Sequence, residues 1–121
     1  MRRAKRARPE SDRIIRVDVY HAVVGVCFTK RTMRALLRVL DMDLKLADAC
    51  QGLAIHATRR GVEWFCVYLP KNAGHDTVAH EMLHVAWYIL HAYGVAVDED
   101  NQEPLAHLMG HLIREFEAIR A

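Results

Sequence analysis

The sequence predicts one α+β domain, a small, twisted, mainly antiparallel sheet with helices packed against it. Three observations carry that prediction. Stretches of strand length, rich in valine and aromatic residues, occupy Ile14 to Thr29, Gln51 to Arg59 and Gly61 to Pro70. Apolar residues recur at helical spacing over Thr32 to Asp43, Asp76 to Tyr93 and the C-terminal stretch beginning near Glu103. The chain has 121 residues, 52% hydrophobic and 26% charged, which suits one globular domain able to bury a core without disulfides.

Taken in order, residues 1–12 read as a basic, flexible arm. Arg2, Arg3, Lys5, Arg6 and Arg8 precede Pro9, and almost nothing there could enter a core. Ile14 to Thr29 then reads as a strand, or a hairpin bent near Gly25. In Thr32 to Asp43, Met33, Leu36, Leu37 and Leu40 share one helical face and arginines the other. The strand at Gln51 to Arg59 is followed by an Arg60-Gly61 turn and a strand closed by Pro70. Between Asp76 and Tyr93 there is no proline and no interior glycine. Val78, Met82, Val85, Trp87, Ile89 and Leu90 supply its apolar positions, Asp76 is the expected N-cap, and Gly94 stands where a helix stops. Leu105, Leu108, Met109, Leu112, Ile113, Phe116 and Ile119 predict a last helix running to the C-terminus.

The most specific chemistry lies at His80-Glu81-Met82-Leu83-His84, in the first half of the helix over 76–93. Residues four apart on a helix have Cβ atoms about 6 Å apart, so both imidazoles can reach one zinc ion at about 2.0 to 2.1 Å. Glu81 is turned about 100° from His80, as suits a base beside metal-bound water. With 8 His and 7 Glu in 121 residues, about 0.03 matches to this pattern are expected by chance.

A catalytic zinc takes three protein ligands and keeps one position open. Glu103, nineteen residues after His84 at the start of the last helix, is the first candidate for the third, with Glu99 next and Asp98 and Asp100 behind it. Asp100 and Glu103 also have capping-box spacing, which would turn Glu103 to a backbone N–H instead. Ala106 and Gly110 would let this helix approach the motif helix closely. His107 and His111 form a second i, i+4 pair without an adjacent base. They are expected to support the site, by orienting a ligand or hydrogen-bonding a developing oxyanion, or to be polar residues on a half-exposed helix.

These residues resemble the gluzincin branch of zinc metallopeptidases: His-Glu-x-x-His, a turn, then Glu103-Pro104-Leu105-Ala106 on a second helix. The chain looks most like the small metallopeptidase-like proteins encoded by phages and prophages, whose second helix often reads near Asp-Asn-Gln-Glu-x-x-Ala. The resemblance covers roughly residues 62–117. It implies a minimal zincin-like domain over 13–121, with His80, His84 and Glu103 as zinc ligands and Glu81 as general base. By the same analogy the strand over 62–69 would line the cleft and pair with an extended peptide. One departure is His107, where larger gluzincins often carry an acidic residue. The metzincin pattern fails, because Trp87 and Leu90 stand where it requires glycine and histidine. His91 is about 10 Å along the helix from His84, too far to share an ion.

The expected activity is therefore zinc-dependent hydrolysis of a peptide or related amide, with a peptide or protein as substrate. The alternative is a phage virion or assembly component whose zinc site is structural or vestigial, with phage structural proteins as partners. A formal net charge of +2 argues against a dedicated nucleic-acid binder, although the arm could touch one. No apolar run approaches the roughly 20 residues that span a membrane, and the basic N-terminus lacks the apolar stretch of a secretory signal. Cys27, Cys50 and Cys66, odd in number and without Cys-x-x-Cys spacing, are expected to be buried thiols in a reducing compartment. The expected location is the cytoplasm, that of the host if the chain is phage-encoded, or the virion.

Overall fold

The computed structural model describes residues 11–48 and 51–121. Its strands are β1 (Arg13–Val17), β2 (Ala22–Cys27), β3 (Leu53–Arg59) and β4 (Val62–Tyr68). Its helices are α1 (Lys30–Val39), α2 (His75–Ala92) and α3 (Glu103–Arg120). The four strands form one sheet in the order β1-β2-β4-β3. β1 with β2 and β4 with β3 are antiparallel, while β2 and β4 run parallel. The α+β class expected from the sequence is what the structure has.

Strand alternation divides the core in two. From β4, Phe65 and Val67 face α2 and α3, where they meet Val78, Met82, Leu112 and Phe116. Trp64, Cys66 and Tyr68 face the other way, onto Met33, Leu36 and Leu37 of α1. Successive strand side chains point to opposite faces, so a strand covered on both sides is apolar throughout rather than alternating. That is why the run up to Pro70 carries so few polar residues.

Several boundaries differ from the sequence expectation, each for a local reason. The break in the valine-rich stretch falls at Asp18–Tyr20, a single 3-10 turn followed by His21 in the left-handed region (φ 52°), and not at Gly25. Gly25 instead lies inside β2, paired with Ile14 on one side and Cys66 on the other. α1 starts earlier than expected because the Thr29 side chain accepts from Thr32 N, and it ends before Asp41, whose φ of 56° breaks the helical path. In α2 the N-cap is Gly74, with no side-chain cap, and Asp76 sits in the first turn, where its charge still suits the positive helix end. Gly94, with φ 73°, ends that helix as expected.

The arm's lower part, residues 1–10, lies outside the described residues. Its expected upper end belongs to the fold: Asp12 N donates to Val26 O, and the Asp12 carboxylate accepts from Phe28 N at 2.7 Å and Thr32 Oγ1 at 2.9 Å. Cys27 and Cys66 are buried thiols, and burial pushes the Cys27 thiol up to about 12. Cys50 lies outside the described residues. Among the described residues no helix is long and apolar enough to cross a membrane.

α2 and α3 lie antiparallel on the same face of the sheet. At the end of α3, Arg120 Nη1 donates to Ala73 O at 2.6 Å, and Glu117 lies 3.6 Å from His75, both just at the start of α2. α3 covers β1, to which His111 Nε2 donates at Arg16 O (2.7 Å). α2 lies over β4 and β3, towards the opposite edge of that same face. This arrangement decides what the motif can meet.

Candidate metal centre

The buried apolar positions of α2 are Val78, Met82, Val85, Ala86, Ile89 and Leu90, a stripe that fastens the helix to the sheet. His80, Leu83, His84, Trp87 and His91 therefore line its outer face and are exposed. Trp87, expected in the apolar stripe, is 47% exposed because its position falls on that outer face. Glu81 stands on the flank between the two stripes. It is 8% exposed and the one charged residue that is buried among those described.

His80, Glu81 and His84 each present a ligand atom within 4.8 Å of the others. The two imidazoles meet edge to face with ring centroids 4.9 Å apart, and Glu81 Oε2 lies 3.8 Å from His80 Nε2. Two imidazole nitrogens and one carboxylate within that span match the donor chemistry of zinc. A small cavity of about 340 Å³ opens beside them, lined by Gln51, Gly52, Asp76, Thr77, His80 and Glu81.

Further along the helix, the His84 ring stacks towards Tyr88 (6.3 Å, 23°), and Tyr88 towards His56 of β3 (5.8 Å). His56 lies flat on Phe65 at 4.9 Å and 9°. Its Nε2 donates to Glu63 Oε1, which also accepts from Thr58 Oγ1 at 3.0 Å. The His56 hydrogen bond holds the Glu63 carboxyl below the usual range, against a smaller opposing effect of burial. A chain of rings thus runs from the motif to a pinned histidine on the neighbouring strand. Tyr88, His56 and Glu63 were not found from the sequence. The hairpin contained the signal, because the turn at Arg60-Gly61 pairs His56 with Phe65 and Thr58 with Glu63.

The structure does not bring Glu103 into the donor group. Its side chain is 84% exposed and faces His107 at 3.5 Å. It lines a separate cavity of about 620 Å³ with Val17, Tyr20, His107, Leu108 and His111. The reason is the packing. α3 runs back antiparallel from beyond Ala92, and eight residues of helix put His84 about 12 Å short of that end. The two histidines also look away from α3, towards the β3 side of the sheet. Asp98 accepts from Asp100 N within the connecting loop, and neither joins the donors; nor does Glu99. The capping box is not formed either, since Gln102 is the N-cap of α3 and makes no side-chain cap bond. His107 faces Glu103 and His111 meets Arg16 O, and both line the cavity at the start of α3 and not the one beside the motif.

The peptide-pairing expectation for residues 62–69 is corrected by the sheet order. β4 is hydrogen-bonded to β2 on one side and β3 on the other, which leaves it no free edge. The edge strand beside α2 is β3.

Comparison of the chain with protein-family models, with curated proteins and with solved structures gives no match.

Proposed function

We propose that the chain is a zinc-dependent hydrolase acting on peptide or related amide bonds, with His80 and His84 as metal ligands and Glu81 as general base. The observation that carries the reading is a sheltered carboxylate beside two exposed imidazoles, all with donor atoms within 4.8 Å. Bound there, zinc would lower the pKa of a water towards about 7 and polarise a carbonyl. Glu81 would take the proton of the attacking water and return it to the leaving amine. Its burial suits that task, because a carboxylate shielded from bulk water keeps a fixed place and exchanges protons with what the cleft holds. Among the described residues β3 is an edge strand, and its outer side offers backbone groups to an extended peptide next to the motif, which supports a peptide as substrate.

The placement of Glu103 favours a second reading. With two imidazoles and no third ligand from α3, the site falls short of the three protein ligands of a catalytic zinc and the four of a structural one, which favours a vestigial site in a phage virion or assembly component, the class that the resemblance brings with it.

Metal analysis and one isosteric substitution separate the two. His80→Ala and His84→Ala should each abolish stoichiometric zinc, and retention of full zinc by both variants would sink the metal site. Glu81→Gln should keep zinc and fold while any hydrolysis falls by orders of magnitude. Hydrolysis undiminished in Glu81→Gln would remove Glu81 from the chemistry. Zinc held at one per chain with no turnover on a peptide library favours the scaffold.

A further inference from the structure

We infer that Gly52, immediately before β3, is a positioning residue for Glu81, its missing side chain forming the slot that holds the carboxylate beside His80. The inference rests on reading Glu81 as the base. A Cβ built at Gly52 would lie 2.8 Å from Glu81 Cγ and 3.3 Å from both Cδ and Oε2. Cγ is an inner atom of the side chain. It cannot step aside by a small turn of the carboxylate; the whole side chain must swing from its Cβ, and the carboxylate moves furthest.

The backbone gives no competing reason for glycine at this position. Gly61 and Gly94 have φ of 77° and 73°, a conformation that favours glycine, whereas Gly52 is not among the positive-φ residues. At Gly74 and Gly110 the nearest atoms are the tips of Asp76 and Arg114, which can turn away. Gly52 thus combines an ordinary backbone with contact on an inner carbon of the buried carboxylate. Glu81 needs such a slot because its position on α2 faces the sheet's flank, where a β-carbon on the adjoining strand would occupy the space.

The proposal makes Gly52 and Glu81 energetically coupled, and a four-protein cycle measures that coupling without metal or substrate. Wild type, Gly52→Ala, Glu81→Ala and the double variant are compared by thermal unfolding. Gly52→Ala should lower Tm by about 3–6 °C when Glu81 is present. In the Glu81→Ala background the same change should cost nothing or raise Tm slightly, since alanine restricts the unfolded chain more than glycine. Equal losses in both backgrounds would overturn the inference by showing a backbone need for glycine, and no loss in either would show that the slot is not used. If Gly52→Ala alone does not fold and the double variant does, the coupling is established in its strongest form.

A second readout separates positioning from mere packing. Cobalt(II) substituted for zinc reports its surroundings in the visible spectrum. Gly52→Ala should bind cobalt within a few-fold of wild type, with its visible bands shifted in the direction shown by Glu81→Gln. A wild-type spectrum in Gly52→Ala would overturn the positioning role even where the cycle shows coupling. Wild-type protein that binds neither cobalt nor zinc would defeat the proposed function instead, while the unfolding cycle would still read the slot.

Discussion

At the residue scale, the site depends on where a side chain stands relative to the buried stripe of its helix. His80 and His84 fall on the outer face of α2 and Glu81 on its flank, so one five-residue motif provides two accessible imidazoles and one sheltered carboxylate. The position of Glu103 leads to a sharp expectation. With its carboxylate 84% exposed and facing His107, Glu103→Gln should leave zinc affinity within a few-fold of wild type by competition titration. A loss of tenfold or more would show that the start of α3 moves to the motif when metal binds, and would restore Glu103 as the third ligand. Glu99→Gln, in the loop before it, serves as the control and should also be silent.

The β3–β4 hairpin is linked to the motif through a series of ring contacts. Glu63 holds His56 from one end while Phe65 and Tyr88 hold the ring faces, and Tyr88 carries the order on to His84. The Glu63 carboxyl is lowered by the His56 hydrogen bond, so folding is favoured by this group when it is ionised. The sign follows directly. The contribution is present above the unfolded value, about 4.3, and is lost as pH falls through the lowered folded value. Thermal unfolding of wild type and Glu63→Gln should therefore differ at neutral pH, with wild type the more stable, and converge in acid. A gap that persists unchanged to pH 2 would remove the ionised Glu63 carboxylate as its cause.

At the scale of the whole molecule, one sheet carries two unlike faces, α1 with the 3-10 turn Leu44–Ala47 on one and the antiparallel α2 and α3 on the other. The α2–α3 pair closes at its far end through Arg120, which donates to Ala73 O and to Glu117. At the N-terminal edge of the described residues, the Asp12 carboxylate ties the start of β1 to Phe28 N and Thr32 Oγ1. Deletion of residues 1–9, with their five positive charges and no apolar periodicity, should leave Tm and zinc content nearly unchanged, because such a sequence has little to add to a core. Asp12→Ala in the full chain should lower Tm by several degrees. A deletion that costs as much as Asp12→Ala would mean that the basic segment packs on its own domain. Any partner that the segment serves should show itself in binding to nucleic acid or to particle proteins compared at low and moderate salt, with and without those residues.

The sequence by itself determined the α+β class, the order of strands and helices, and the motif on α2. Each of these is written in local periodicity: alternation in β-rich runs, the 3.6-residue repeat of Val78, Met82, Val85 and Ile89, and the i, i+4 spacing of His80 and His84. Sequence also placed Glu103 at the head of the next helix, and the structure agrees on that element while directing it elsewhere. Only the tertiary structure decided that β4 is enclosed and β3 exposed at the edge, that α3 leans on β1, and that Gly52 lies against Glu81. Those are relations between segments distant along the chain. They depend on which face of each helix is buried and on how antiparallel helices align end to end, and neither is fixed by the spacing of residues within a single element.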